Sequence, residues 1–305
     1  MPTIATVSGP FLKWAGGKGR LAPGVAASAP AHFATYHEPF AGAGAVFYAI
    51  AARHGPLPAR LNDLNEALME TFRVVRDDVG LLIDHLHHLA LAYFAEDDEG
   101  RKAFYYRVRE HVPATPVERA ARFIFLNKTG YNGLYRVNRS GHFNVPFGRY
   151  KNPRILHAER LVAASAALQH ATFTSVDFEE ACAAARPGDF VYLDPPYQPL
   201  SATSTFTSYT SQEFGPREQE RLRDTFEDLT RRGVAAMLSN SSHPYVRELY
   251  EDRGFTIRVV PMSRAINSNA ARRSAIDELL ITNFERVGAP PGTSPAEAAP
   301  LATSP

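Results

Sequence analysis

The octet Phe190-Val191-Tyr192-Leu193-Asp194-Pro195-Pro196-Tyr197 joins a short apolar run to a carboxylate, two prolines and an aromatic ring. Four consecutive apolar residues before such a break read as a strand buried on both faces, the kind found in parallel sheets. Similar short runs recur at Thr35 to Phe40, Arg60 to Asp63, Thr172 to Ser175, Val234 to Ser239, Thr256 to Pro261 and Glu278 to Phe284. They alternate with amphipathic stretches, which predicts an α/β fold with a mostly parallel sheet. Between Asn65 and Leu126 the alternation stops and helical spacing takes over, as in Leu81, Leu82, His85, Leu86 and Leu89. This reads as a helical insertion. The final GAPPGTSPAEAAPLATSP holds too little apolar surface to order itself, so residues 288–305 are expected to be a disordered tail.

The composition is that of an ordinary globular protein: 305 residues, 45% hydrophobic and 21% charged. No apolar stretch approaches the roughly 20 residues a membrane helix needs, and no secretory pattern opens the chain, so a cytoplasmic protein is expected. A single cysteine, Cys182, allows no internal disulfide and no thiolate metal site. His85, His87 and His88 lack a second ligand cluster, and no metal is expected. The formal charge of +1 hides an asymmetry. Residues 61–100 carry ten acids and two bases, whereas residues 119–160 carry nine bases and one acid, interleaved with Tyr131, Tyr135, Phe143, Phe147 and Tyr150. That pattern suits a phosphate backbone with unstacked bases, or equally a basic solvated surface.

The tetrad Asp194-Pro195-Pro196-Tyr197 lies past the carboxyl end of a strand, where open α/β sheets bind ligands. Two prolines fix the backbone and remove two N–H donors, leaving carbonyl acceptors beside a carboxylate and a stacking face. An exocyclic amine on a planar ring needs that environment. The motif by itself serves nucleic-acid and glutamine methyltransferases alike, and a rigid turn with a capping Asp is the plainer alternative. Glu38-Pro39-Phe40-Ala41-Gly42-Ala43-Gly44 ends the first strand in a glycine turn, but Phe47 stands where a dinucleotide fingerprint needs its third glycine. Asp63, at the end of the next strand, can accept from ribose hydroxyls. A nucleoside ligand without a pyrophosphate fits this better than NAD. Phe11-Leu12-Lys13-Trp14-Ala15-Gly16-Gly17-Lys18 is no P-loop, since Gly19 follows the lysine; it offers a ring and two cations on a loop.

In this order these segments closely resemble the Dam-type (class alpha, D12 group) DNA adenine-N6 methyltransferases. Further matches are Leu126 to Asn138, Gly141 to Pro153, Pro199 to Thr210 and Arg264 to Asn283, so the resemblance spans about residues 11 to 284. It implies a methyltransferase fold with a mostly parallel seven-stranded sheet: a catalytic domain over 1–66 and 157–287, and an inserted, mainly helical target-recognition domain over 67–156. It implies S-adenosylmethionine as donor and the N6 amine of a flipped adenine in double-stranded DNA as acceptor, without metal. Asp194, Pro195, Pro196 and Tyr197 become catalytic. Trp14, Ala15 and Lys18 resemble a cofactor lid, and Glu38, Pro39, Phe40, Gly42 and Gly44 its methionine and adenine surround, with Asp194 nearby. Asp63 resembles the ribose acceptor, and Asp177 with Phe178 the pair that reads the cofactor's adenine, although Val176 replaces a glycine common before that Asp. Tyr131 and Asn132 resemble a wedge into the duplex, Arg136 a guanine reader and Lys13 a second base contact. Leu134 and Asn138 belong to the same loop, and Arg149 and Lys151 resemble phosphate contacts. GATC is the first expectation for the site, and a monomer acting on the nucleoid, alone or within a restriction-modification system, is expected. The rival readings are an RNA base-amine methyltransferase, against which the loop from Lys128 to Pro153 argues, and a DNA-binding regulator that has lost turnover. A salt bridge from Arg136 to the acidic stretch near Asp97 is the structural alternative for that residue.

Overall fold

A computed structural model describes residues 9–138, 140–197, 214–260 and 277–285. The motif from Pro199 to Thr210, most of the stretch from Arg264 to Asn283 and the tail 288–305 lie outside the described residues. Among those described, the chain runs α1 (Ala22–Ser28), β1 (Tyr36–Glu38), α2 (Ala45–His54), β2 (Ala59–Asn62), then α3 (Glu66–Asp77), α4 (Val79–Phe94), α5 (Asp98–Glu110) and α6 (Pro116–Thr129). A 3-10 turn, Tyr131–Gly133, precedes α7 (Ala158–Leu168), β3 (Ala171–Thr174), α8 (Phe178–Ala183) and β4 (Phe190–Leu193). The last elements are α9 (Pro216–Arg231), β5 (Ala235–Ser241), α10 (Pro244–Glu248), β6 (Thr256–Val260) and β7 (Glu278–Thr282). No helix among the described residues is long and apolar enough to cross a membrane.

All seven expected strands form one sheet, in the order β3-β2-β1-β4-β5-β7-β6. The first five are parallel, and β7 runs antiparallel between β5 and β6. The strand order reverses between β1 and β4, so the loops leaving those two strands diverge to opposite sides and leave a crevice at their carboxyl ends. Glu38 and Asp194 are the residues that sit there.

The continuous apolar run of β4 is explained by burial on both faces. Phe190 and Tyr192 belong to one core with Tyr36, Phe47, Ile50, Phe72, Leu86 and Phe125, whereas Val191 and Leu193 belong to another with Phe178, Leu222, Phe226, Leu238 and Tyr250. The first core extends without a break into α3, α4 and α6 of the helical insertion. Strand ends differ from the sequence reading for physical reasons. β1 stops at Glu38 because Pro39 has no N–H to continue a ladder. β5 continues two residues past Ser239, since Asn240 and Ser241 pair with Leu279 and Glu278 while their polar side chains are buried.

One buried amide ties the loops after three strands together. The Asn62 Nδ2 donates to the carbonyls of Pro39 and Val176, 3.0 Å each, and its Oδ1 accepts from the Thr174 hydroxyl at 2.8 Å and the Val176 amide at 3.0 Å. All of its hydrogen-bonding capacity is used. Asn62→Ala strands buried partners that no apolar side chain can satisfy, and about 1 to 3 kcal/mol of stability should be lost. Denaturant unfolding at neutral pH measures this, and a loss well under that range would mean that water takes the place of the amide.

Candidate active site

At the mouth of the crevice the Lys18 ammonium is almost fully enclosed. It lies 3.1 Å from Asp194 Oδ1, 3.6 Å from Glu278 Oε2 and 4.0 Å from the centroid of the Tyr197 ring. The Tyr197 hydroxyl donates to Glu278 Oε2 at 2.9 Å. Three elements therefore converge: the segment before α1, the tetrad after β4, and the first residue of β7. Burial pushes the Asp194 carboxyl up to about 6; the Lys18 ammonium works against this, and the Glu278 charge adds to it. Burial raises Glu38 well above the ordinary carboxylate range, opposed by the Tyr36 hydroxyl that donates to it at 2.9 Å. Sequence reading missed Glu278, although an acid pair, Asp277-Glu278, opening the apolar run Leu279-Leu280-Ile281 was a visible signal.

The glycine turn and its neighbours form a second cluster beside this one. Gly42 and Gly44 adopt φ of +48° and +72°, a region costly for residues with a side chain. A Cβ on Gly42 would meet the Trp14 ring at 3.0 Å. Asp63 caps the turn, accepting from the Gly42 amide at 3.0 Å and the Asn65 amide at 2.9 Å, and burial raises its carboxyl. Phe40 and Phe178 pack with centroids 5.4 Å apart, and Phe214, which sequence reading did not single out, adds an edge at 5.8 Å from Phe40. Asp177 caps α8 through the Glu179 amide and pairs with Arg221 at 2.8 Å. The backbone turn at Trp14 and Gly17 carries Ala15 on the same segment.

The loop after α6 gathers the residues expected on DNA. Tyr131 is half exposed, and Asn132 next to it takes φ of +53°. Arg136 makes no ion pair among the described residues; its Nε donates to Asn144 Oδ1 at 2.6 Å, which holds the guanidinium at the surface. The acidic stretch near Asp97 is thus not its partner: Asp97 instead caps α5 through the Gly100 amide. The Asn138 Oδ1 accepts from the Ser140 and His142 amides, closing the tip of the loop. Leu134 is partly buried, and Arg149 and Lys151 are exposed, Arg149 with φ of +52°. Not all of the basic run faces outward. Arg119 pairs with Glu70, and Arg122 donates to the carbonyls of Val108 and Arg109.

Two contacts join the N-terminal segment to this loop. Trp14 stacks 6.2 Å from Tyr135 and 6.4 Å from Phe123. Asn127, buried and likewise missed, accepts from the Lys13 amide at 2.9 Å and donates to the carbonyls of Lys13 at 2.7 Å and Gly133 at 2.9 Å. Lys13 is thereby grouped with the loop, its ammonium 4.3 Å from the Tyr150 ring centroid.

A family model described as D12 class N6 adenine-specific DNA methyltransferase matches residues 14–266. The chain belongs to that family. The methyltransferase is 42% identical over 287 residues to the type II methyltransferase M.MjaIII of Methanocaldococcus jannaschii, covering 90% of this chain and 99% of that one. It is 40% identical to the type II methyltransferase M1.LlaDCHI of Lactococcus lactis subsp. cremoris, covering 90% and 95%. It is 36% identical to the DNA adenine methylase of Escherichia coli K12, covering 88% and 93%.

The carboxylate at the centre of the site sets a pH dependence. Asp194 accepts fully only when ionised, so the rate of methyl transfer should fall as pH drops through about 6 and level off above it. Lys18→Met removes the influence that lowers this carboxyl, and the acid limb should move to higher pH. The pH dependence of kcat/KM for DNA, which reports groups of the DNA-free enzyme, measures both.

Proposed function

We propose that this methyltransferase moves the methyl group of S-adenosylmethionine to the N6 amine of an adenine turned out of duplex DNA. The reading is supported above all by the placement of Asp194 and Tyr197 at the β1/β4 crevice, with a glycine turn and an aromatic pair alongside. The residues present suit the donor. Asp63, Glu38 and the backbone at Gly42 and Gly44 offer acceptors and close backbone approach, and Phe40 and Phe178 offer a wall for a purine. Asp177 stands at the same edge, with Trp14, Ala15 and Lys18 on the covering segment. When bound, the sulfonium of S-adenosylmethionine supplies a methyl group already activated for displacement.

The chain's own residues do the rest. A base inside the helix cannot reach the crevice, so it must be extruded at a cost of a few kcal/mol. Tyr131 and Asn132 would fill the space it leaves, and the Tyr197 ring would stack on the base. Hydrogen bonds from N6 to the Asp194 carboxylate and the Pro195 carbonyl, with Pro196 keeping the backbone rigid, make the nitrogen more tetrahedral and aim its lone pair. The N6 lone pair would then take the methyl carbon in line as that carbon's bond to sulfur breaks, the sulfur keeping the electron pair, and the N6 proton would leave by way of Asp194. No separate nucleophile is needed.

For sequence selection, Arg136 is the candidate guanine reader and Lys13 a second base contact, with Leu134 and Asn138 in the same loop and Arg149 and Lys151 on phosphates. Residues 67–156 then act as the target-recognition unit and residues 1–66 with 157–287 as the catalytic unit. GATC is the proposed site, and a monomer working on cytoplasmic DNA is the proposed state. Incubating the protein and donor with unmethylated plasmid, followed by single-base mapping of N6-methyladenine, tests the whole reading. Methylation at every copy of one short motif is expected; cofactor binding without methylated adenine would overturn it. Asp194→Ala should lower the rate by about 10²- to 10⁴-fold with DNA binding retained. Arg136→Ala should cost about 1 to 3 kcal/mol of discrimination at one guanine. A loss spread evenly over all sequences would instead make Arg136 a backbone contact.

A further inference from the structure

We propose that Lys18 occupies the seat of the adenine amine in the DNA-free enzyme, and that Glu278 is the positioning residue that receives its ammonium when the amine enters. The inference rests on the methyl-transfer reading above and adds to it a residue outside the tetrad. The ammonium lies 3.1 Å from Asp194 and 4.0 Å above the Tyr197 ring. A nitrogen donating to the Asp194 carboxylate over that ring is the arrangement an adenine amine must adopt. Both nitrogens cannot hold the place at once, so Lys18 has to withdraw.

A buried ammonium released without a partner would be costly. Glu278 removes that obstacle. Its carboxylate is 3.6 Å away, so a short slide completes the second ion pair. It is also fixed, because β7 is the middle strand of the antiparallel trio, with Glu278 opposite Ser241 on one side and Val260 on the other. The same carboxylate oxygen accepts from the Tyr197 hydroxyl, so one residue holds the stacking ring and the displaced cation. After the exchange Lys18 and Glu278 neutralise one another, and Asp194 keeps its charge for the amine. The other titratable groups near the pair are Glu38 and Tyr36 on β1 and Tyr192 on β4.

The test compares Glu278→Gln, Lys18→Met, the double variant and Tyr197→Phe in the full-length protein. DNA that the wild type methylates serves as substrate. Glu278→Gln can still accept from Tyr197 but cannot neutralise Lys18, so kcat should fall about tenfold or more with a much smaller change in the KM for DNA. If Glu278 acts through Lys18, the double variant is no slower than Lys18→Met alone. Tyr197→Phe leaves both charges in place, so its acid limb should stay where the wild type has it. Carbon-13 NMR of labelled aspartate in the DNA-free protein should show Asp194 titrating lower in Glu278→Gln and higher in Lys18→Met. Wild-type kcat in Glu278→Gln, or losses that multiply in the double variant, would overturn the proposal. If Glu278→Gln does not fold, an Asp194 titration unmoved in Lys18→Met overturns it, and an upward shift supports it. A wild type that methylates no adenine would sink the functional reading itself, while the NMR titration still reports whether Lys18 and Asp194 are coupled.

Discussion

Two parallel strands carry two carboxylates, Glu38 and Asp194, out of water at neighbouring positions, and the crevice is organised around what keeps those charges tolerable. Burial raises both, with the Asp194 charge adding to it at Glu38 and the Glu278 charge adding to it at Asp194, so each needs its own remedy. Glu38 has the Tyr36 hydroxyl, from the same face of its own strand. Asp194 has the ammonium of Lys18, brought from the start of the chain. The covering segment is therefore held over the crevice by a charge interaction as well as by apolar packing. β7 contributes the third acid and fixes the cation from the other side. An antiparallel strand inserted between β5 and β6 reverses direction and delivers its first residue, rather than its last, to the carboxyl edge of the sheet.

Much of this was legible in the sequence. A strand buried on both faces leaves an unbroken apolar run, and Phe190 to Leu193 showed that pattern because alternate residues enter separate cores. The tetrad, the glycine turn and Asp63 were visible as unusual residue types at strand ends, and all three lie at the carboxyl edge of the sheet. The helical insertion was visible as a change of period. What could not be read were the roles of single polar residues whose partners are remote in the chain. Asn62 reaches Pro39 and Val176, and Asn127 reaches Lys13 and Gly133; Asn127 lies in the matched stretch from Leu126, but nothing local shows which partners either amide binds. The basic run misled in a similar way, since charge counts do not show that Arg119 is paired with Glu70 and that Arg122 is turned inward onto backbone carbonyls.

The geometry of Asp63 and Asp177 also refines the sequence picture. Both were read as acceptors for a ligand, and both also serve the fold. Asp63 holds the glycine turn through the Gly42 amide, and Asp177 caps a short helix and binds Arg221. A carboxylate has enough lone pairs to accept from several donors, so structural use and ligand use are compatible at these positions.

Trp14 touches the glycine turn on one side and Tyr135 on the other, while Asn127 binds the backbone on both sides of the same junction. The segment that covers the crevice and the loop proposed to face DNA thus share a wall. Anyone retargeting such an enzyme by transplanting a recognition loop from a relative would be replacing part of the crevice lid as well. A donor loop would have to bring an aromatic residue at position 135 and a glycine at 133, where a Cβ would strike the Lys13 side chain. Specificity here is modular only as far as that shared wall allows.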